Sequence, residues 1–422
     1  MHIFKLNNSK HLVKSWIPQD KIEESAIAQI ANVTNLPFLF NHLAIMPDVH
    51  AGFGVTIGSV LATKDVVLPS AVGVDIGCGM AAVKTSLTGI SIERLKEIMT
   101  LIRKKIPVGF NHHSKPQDEN LMPYLDPNNL WPSSYPICSK ERESALTQLG
   151  TLGSGNHFIE LQKGSDGYIW FMIHSGSRNL GFKVAKYYND IAVKLNEKWH
   201  TSVPKNHELA FLPIDTKEAI DYLREMKYCL DFAQANRDLM VQRIKEAFTQ
   251  IVCLDCNGAG GIKDQKCINC NGRGYFDHFA EVSFDPTINI HHNYVAIENH
   301  FGHNVWVHRK GATSAKEGEI GIIPGSQGTA SYVVKGKGNV NSFMSCSHGA
   351  GRTMSRTKAI KELNLAEEQR KLDEQGILHT VRNQKSLDES PSAYKDILEV
   401  MKNQEELVDI IVELKPLAVI KG

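Results

Sequence analysis

The 422-residue sequence lacks a long apolar run, an excess of charge of either sign and the cysteine spacing of a disulfide framework. Without an apolar run of membrane-spanning length, we expect no transmembrane helix and no action at a membrane. The first residues, MHIFKLNNSKHLVKSW, contain no apolar segment typical of a signal peptide, so the sequence predicts a cytoplasmic protein. The net charge of +1 excludes a strong overall attraction to nucleic acid, and any such contact needs a local basic patch.

Long internal repeats and low-complexity linkers are also missing. Glycine-rich blocks at about 46–80, 149–181 and 302–351, and the last few residues, predict strands and tight loops. Between these blocks the hydrophobic periodicity predicts helices at 91–106, 216–250, 354–373 and 397–413. The sequence thus predicts one α+β catalytic domain over residues 1–422, with helical insertions.

Four of the eight cysteines lie in two copies of a Cys-x-x-Cys-Asn-Gly-x-Gly motif, CLDCNGAG at 253–260 and CINCNGRG at 267–274. Paired Cys-x-x-Cys motifs are typical of tetrahedral zinc sites, so we predict a structural Zn²⁺ bound by Cys253, Cys256, Cys267 and Cys270. Each copy resembles the zinc knuckle of the DnaJ chaperone family. A closed four-thiolate site has no position for a substrate. The inserted element 253–274 is therefore expected to have a structural role.

A second group of potential ligands lies in the glycine-rich blocks. GVDIGCGM contains Asp75 and Cys78, and GSGNHFIE, HSGSRNLG and SCSHGAGR contain His157, His174 and His348. Turns of this kind expose main-chain N–H groups, as anion sites require. Carboxylate, thiolate and imidazole together favour manganese, zinc, iron or cobalt over magnesium and calcium, and their number allows two ions.

Ten motifs, in order from about residue 40 to the C-terminus, resemble those of the RtcB family of RNA ligases. They are MPDVHAGFGVTIGSV, VGVDIGCGM, LGTLGSGNHFIEL, HSGSRNLG, HHNY, KGATSA, IIPGSQGTASY, SCSHGAGRTMSR, AYKDI and VIKG. Helical stretches and the cysteine insert interrupt the series. A single motif of this kind is weak evidence, whereas ten in order are specific.

Members of that family join an RNA 3′-phosphate or 2′,3′-cyclic phosphate end to a 5′-hydroxyl end, with GTP and manganese. The resemblance implies the same activity here, in tRNA splicing or RNA repair, on broken tRNA, rRNA or other RNA. It implies two Mn²⁺ ions, an archease-like activator as a partner, and the compact fold of the family with mixed and antiparallel sheets.

The resemblance also implies roles for individual residues. It makes His348 the nucleophile that carries GMP, and Cys78 a ligand shared by both ions. The implied metal ligands are Asp75, Cys78, His157, His174 and His292, with His291 as the alternative to His292. The implied GTP-binding residues are Asn156, His157, Phe158, Ile159, Glu160, His292, Asn293, Pro324, Gly325, Ser326, Gln327, Ser331, His348, Gly349, Ala350, Gly351, Tyr394 and Lys421. Arg178 and Arg352 are implied contacts to RNA or nucleotide phosphates.

Two other functions remain open. A metal-dependent phosphoesterase acting on RNA ends would use the same histidines to activate water, with His348 as a metal ligand and no covalent guanylate. A zinc-stapled RNA-binding or chaperone-like module would explain the insert and leave the other motifs without a role. The insert itself either lies near the rim of the reaction centre, where it would influence substrate choice, or staples a remote loop.

Overall fold

The computed structural model describes residues 1–124, 135–256, 258–262, 265–277 and 282–422. Parts of the cysteine insert, including Asn257 of its first motif, therefore lie outside the described residues. The helices are α1 (Glu24–Val33), α2 (Ile92–Lys105), α3 (Cys138–Gln148), α4 (Arg178–Lys198), α5 (Lys217–Phe248), α6 (Arg356–Glu362), α7 (Leu365–Asp373) and α8 (Ile397–Asn403). Among the described residues, no helix combines the length and the apolar composition that a membrane crossing requires.

Strands make up most of the remaining regular structure, together with short 3₁₀ turns. They are β1 (His2–Phe4), β2 (Leu12–Ser15), β3 (Leu39–His50), β4 (Ile57–Thr63), β5 (Val66–Val67), β6 (Gly79–Lys84), β7 (Phe158–Gly164), β8 (Ile169–Ser175), β9 (Leu212–Pro213), β10 (Gln250–Val252), β11 (Gly261–Ile262), β12 (Gln265–Lys266), β13 (Tyr275–Asp277), β14 (Ile288–His291), β15 (Asn293–His300), β16 (His303–Lys310), β17 (Ala312–Ser314), β18 (Ile320–Ile323), β19 (Ser331–Gly336), β20 (Ser345–Ser347) and β21 (Val408–Lys421).

Two large sheets organise the protein. One has seven strands in the order β14-β6-β8-β7-β21-β19-β18, and its neighbouring strands are antiparallel. The other has six strands in the order β1-β2-β3-β4-β16-β15, in which β2 and β3 run parallel and the other pairs are antiparallel. Sheets of this kind beside the eight helices of the described residues confirm the predicted α+β class, whereas the domain boundaries stay a prediction.

Helices α2 and α5 begin where the sequence predicts. The Ser91 hydroxyl caps α2 by accepting from the Arg94 N–H at 3.2 Å, and Thr216 caps α5 in the same way. Both helices pack on the seven-stranded sheet, where Ile98 and Ile244 share a buried cluster with Phe171. Burial of these apolar faces holds the helices on the sheet and supports the strands that carry the site.

Two helix predictions are wrong in part. The predicted helix at 397–413 ends with α8 at Asn403, because the residues from Val408 onward pair with β19 and then with β7 as strand β21. The 354–373 helix is divided into α6 and α7, with Asn364 capping the second. In each case, long-range pairing or a local cap overrides the periodicity.

Candidate active site

The turn that precedes β6 holds Asp75 and Cys78 on the same side of the backbone. The Cys78 N–H donates to the Asp75 carbonyl at 3.1 Å, and the Asn293 side chain donates to the same carbonyl at 3.0 Å. Gly77 has a φ of +74°, a left-handed conformation that side chains other than glycine rarely adopt. The glycine and the asparagine thus fix the spacing of the two ligand side chains.

Neighbouring strands bring the histidines to this turn. His174 on β8 pairs with Phe158 at the start of β7, so His157 lies beside it. On the other side, β6 pairs with β8 and with β14, after which His292 follows. Since adjacent antiparallel strands begin and end at a common edge, residues far apart in sequence meet at one edge of the seven-stranded sheet.

The five side chains form one cluster. Cys78 Sγ lies 3.4 Å from His157 Nε2 and 3.2 Å from His174 Nε2. His174 Nε2 lies 3.3 Å from His292 Nε2, and His157 Nε2 lies 3.0 Å from Asp75 Oδ2. The ligand atoms fall into two groups, Asp75–Cys78–His157 and Cys78–His174–His292, in each of which they lie within 4.8 Å of one another. The two groups share Cys78.

Burial prepares the imidazoles to act as neutral ligands. His174 Nδ1 lies 3.0 Å from the Asn156 carbonyl, and because a carbonyl only accepts, Nδ1 carries the hydrogen and the Nε2 lone pair points into the cluster. Burial, and then the neighbouring imidazoles, hold the pKa of His174 and of His292 well below the usual range. Burial and then the Asp75 carboxylate raise the pKa of the Cys78 thiol, a balance that a bound cation reverses.

The structure places His292 in the cluster and His291 outside it. Successive residues of an extended segment point to opposite faces, and His291 turns away. Its Nδ1 is 3.1 Å from the Arg237 guanidinium and 3.2 Å from the Gly77 carbonyl. His291 therefore supports the turn that carries Asp75 and Cys78 from behind.

His348 follows β20 and lies next to this cluster, with its ring centroid 4.9 Å from that of His292. His348 Nδ1 donates to Asp48 Oδ2 at 2.7 Å, and the His348 main-chain N–H donates to the same oxygen at 3.1 Å. Asp48 lies on β3 and is fully buried. The Lys395 ammonium donates to the carbonyls of Pro47 and Val49, on either side of it. With Nδ1 bound to the carboxylate, the lone pair of His348 Nε2 is free.

Two cavities meet at His348. The first, of about 570 Å³, contains most of the residues that the sequence predicts for the nucleotide. The second, of about 820 Å³, contains Asp75, Cys78, His157 and His292 of the ligand cluster. His348, Asn156 and Arg356 line both, so His348 forms part of the boundary between the two spaces.

The lining of the first cavity agrees with the predicted nucleotide residues in most positions. These are Asn156, Phe158, Glu160, Pro324, Gly325, Ser326, Gln327, His348, Gly349, Ala350, Gly351, Tyr394 and Lys421. Ile159 is an exception, because alternation along β7 turns its side chain into the core. Ser331 accepts from the Gly325 N–H at 3.1 Å and thereby supports the turn instead of lining the cavity. His157, His292 and Asn293 line the second cavity.

The end of the chain is held in the first cavity by sheet pairing. Lys421 on β21 pairs with Phe158 on β7, and its Nζ lies 5.8 Å from the centre of that ring. Arg352 lies 5.0 Å from the centre of the Tyr394 ring and 3.0 Å from Glu389. Arg352, predicted as an RNA contact, therefore lies in the first cavity, where its charge is already paired.

The second cavity contains the other predicted RNA contact, Arg178, together with basic side chains that no motif indicated. Lys310 and Arg356 line it, and burial lowers the pKa of Lys310 to about 7. Asp48 was missed as well, although it lies in the motif MPDVHAGFGVTIGSV. A separation of 300 residues from His348 leaves no local pattern by which the pairing could have been found.

The cysteine insert forms a separate cluster. Cys253, Cys256, Cys267 and Cys270 are buried, and their Sγ atoms lie within 4.8 Å of one another. The last glycine of each motif copy donates its N–H to a sulfur, Gly260 to Cys256 at 3.3 Å and Gly274 to Cys270 at 3.1 Å. Lys104 in the last turn of α2 donates to the Gly258 carbonyl at 2.8 Å. None of the described insert residues lines either cavity.

The fold and the site define an α+β protein with an open cluster of side chains that could bind metal ions, beside two cavities. The sequence profile described as tRNA-splicing ligase RtcB matches residues 29–135 and 132–422. RNA-splicing ligase RtcB of Escherichia coli (strain K12) is 38% identical over 421 residues, which cover 97% of each chain. tRNA-splicing ligase RtcB of Nanoarchaeum equitans (strain Kin4-M) is 32% identical over 95% of this chain and 92% of its own. The chain therefore belongs to the RtcB family, as its motifs predict.

Proposed function

We propose that this protein is an RNA ligase that joins a 3′-phosphate or 2′,3′-cyclic phosphate end to a 5′-hydroxyl end through a guanylate bound to His348. The observation that supports it most directly is the place of His348, which is bound to a buried carboxylate and lies where the two cavities meet. GTP would occupy the first cavity and the RNA end the second. Broken tRNA in splicing, and other broken RNA in repair, are the proposed substrates.

The Asp48–His348 pair supplies the nucleophile. His348 Nε2 would attack the α-phosphorus of GTP, so that an N–P bond forms, the bond to the β-phosphate oxygen breaks and pyrophosphate leaves. The imidazole becomes positively charged in this step, and the Asp48 carboxylate at 2.7 Å from Nδ1 stabilises that charge and fixes the ring. In the tautomer that donates from Nδ1 to Asp48, Nε2 would carry the lone pair, and His348 would need no separate base.

His348 then acts as the leaving group. The RNA 3′-phosphate would attack the guanylate phosphorus, which breaks the N–P bond and leaves GMP on the RNA end. The 5′-hydroxyl of the second strand would displace GMP and form the phosphodiester. A cyclic phosphate would first be opened by hydrolysis at the same centre.

The donor set of the cluster fits metal ions. One thiol, three imidazoles and one carboxylate converge in a buried space, and this mixture suits a transition metal such as manganese. Asp75, Cys78 and His157 would hold one Mn²⁺, and Cys78, His174 and His292 the other, with Cys78 shared. When bound, the ions would neutralise phosphate charge and act as Lewis acids.

The four-cysteine insert is proposed to bind Zn²⁺ as a structural ion. Its ligands are all sulfur, and N–H groups from Gly260 and Gly274 donate to two of them, which stabilises thiolate. The shell is closed, so the insert takes no part in the reaction. An archease-like activator belongs to the same proposal as a partner.

The experiment is a guanylylation assay with α-labelled GTP and manganese in the absence of RNA. We expect label on the denatured wild-type chain, in an acid-labile and alkali-stable adduct, and none on His348→Ala. His379→Ala is the matched control, because that histidine lies outside both cavities, and its variant should be labelled. A fully metallated wild-type protein that takes up no label would contradict the ligase mechanism and favour the phosphoesterase alternative.

A further inference from the structure

Two phenylalanine side chains line the second cavity without being enclosed by the protein. Phe110 is 91% exposed and Phe182 is 47% exposed. Both rings line the same cavity as Asp75 and Cys78 of the ligand cluster. An exposed ring gains little free energy from folding, but it offers a flat apolar surface to a molecule that enters the cavity.

The backbone that carries Phe110 is anchored. Gly109 donates its N–H to the Gly153 carbonyl at 2.8 Å, and Leu152 donates to the Pro107 carbonyl at 3.0 Å. Asn111 closes a turn by donating to the Val108 carbonyl at 3.3 Å. The ring is therefore presented from a fixed turn that lies against the loop ahead of His157. Because the backbone is already fixed, binding a partner costs only the rotamer freedom of the ring itself.

The charge around the two rings is mainly positive. Arg178, Arg356 and Lys385 line this cavity, together with Lys310, which its lowered pKa of about 7 leaves only partly charged, and the acidic residues Asp75 and Asp388. Of the basic groups, Arg356 is already paired with Glu389 at 2.7 Å. Lys385 is exposed, and within the described residues it makes neither a hydrogen bond nor an ion pair. Basic side chains and exposed aromatic rings in one cavity suit a single-stranded nucleic acid, whose phosphates bind the basic groups and whose bases stack on the rings.

We propose that Phe110, together with Phe182, forms a stacking platform for an unpaired base near the RNA end that enters the second cavity. The proposal rests on the proposed function, since it takes the RNA end to lie beside His348. It adds a contact to the base, whereas the cations of the cavity contact phosphate. Because every base has a flat face, the platform would accept any of the four bases.

The test compares Phe110→Ala and Phe110→Trp with wild type in binding a labelled single-stranded RNA of about ten nucleotides with a 3′-phosphate, by fluorescence anisotropy at fixed salt. Loss of the ring is expected to weaken binding about 5- to 150-fold, as alanine substitution of one stacking residue does elsewhere. Tryptophan, which keeps a stacking surface, should restore binding. Tyr124→Ala is the matched control, because Tyr124 is 74% exposed and lies outside the second cavity.

RNAs that each lack one base near the 3′ end separate stacking from a structural effect. If the platform exists, wild type and Phe110→Ala should bind one of these abasic RNAs with equal affinity. An equal loss for every RNA, or an unchanged affinity in Phe110→Ala, would overturn the proposal. Guanylylation of the wild-type protein without RNA tests the ligase mechanism separately, so a failure there is distinguishable from a failure of the platform.

Discussion

The two clusters of potential metal ligands in this protein are built in opposite ways. The insert takes four identical ligands from 18 consecutive positions, Cys253 to Cys270, and encloses them completely. The cluster around Cys78 takes three kinds of ligand from four segments of the chain, Asp75 to His292, and faces a cavity. A closed shell of one ligand type stabilises a short segment, whereas an open, mixed shell leaves room for a substrate. The comparison indicates that access from a cavity, more than the number of ligands, distinguishes a candidate reaction centre from a structural metal site.

The largest effect is expected from Cys78→Ala, which removes the atom common to both ligand groups. Both manganese ions should be lost together and ligation should fall by at least ~10³-fold, since both sites lose a charged ligand. Metal analysis of the purified protein would check this, and the zinc content should not change. Cys229→Ala, which removes a buried core thiol, is the control. Loss of one ion with the other bound normally would argue against a shared ligand.

A smaller effect is expected from Asp48→Asn. The amide keeps the shape of the side chain but no longer favours the His348 tautomer with a free Nε2, so guanylylation should slow by about 10²–10⁴-fold. Single-turnover labelling with GTP measures the rate, and neither metal cluster should change. Asp166→Asn, remote from both cavities, is the control. An unchanged labelling rate would show that the Asp48 contact does not position the nucleophile.

An effect confined to the insert is expected from removal of one of its cysteines. Cys256→Ser should release the zinc and remove hydrogen-exchange protection from the described segment 265–277, because this segment has no large core of its own. Ligation of a standard RNA should stay within about twofold of wild type, since none of the described insert residues lines either cavity. Asn269→Ala, which removes only a surface hydrogen bond to Asp255, is the control. A changed preference among tRNA halves, rRNA and mRNA fragments would instead favour a role in substrate choice.

The smallest effect is a pH dependence of stability at Glu160. Burial raises the pKa of this carboxyl group to about 8. Between its unfolded pKa of about 4.5 and about 8, the folded state holds a proton that the unfolded state has lost, so stability falls as pH rises through that range. Glu160→Gln should therefore be more stable than wild type by about 1–3 kcal/mol at pH 8 and equal at pH 4.

Thermal unfolding of wild type and Glu160→Gln at several pH values measures this difference in stability. Glu143→Gln, at an exposed position on α3, is the control. A stability difference between wild type and Glu160→Gln that does not vary with pH would contradict the assignment of a raised pKa. GTP binding is expected to weaken in the same variant, because Glu160 lines the first cavity.

Short stretches of sequence were enough to predict several features of the fold and of the candidate site. The helix at α2 and its Ser91 cap, the duplicated cysteine motif and the ligand turn at Asp75 and Cys78 are written in consecutive residues, and the structure agrees with each. Periodicity failed at 408–413, where strand pairing prevailed over the helical pattern. It also gave no indication that Ile159 faces the core while Phe158 and Glu160 face the cavity, since the strand register had first to be known.

The sequence by itself determined the ligand chemistry, the α+β class and the membership in the RtcB family, because these depend on residue types, short spacings and the order of motifs. Only the tertiary structure decided that Asp48 binds His348, that His292 and not His291 joins the cluster, and that Lys421 reaches the first cavity. These contacts join residues up to 300 positions apart or depend on which face of a strand a side chain takes. Such distances and directions are set by sheet pairing, which no short stretch of sequence contains.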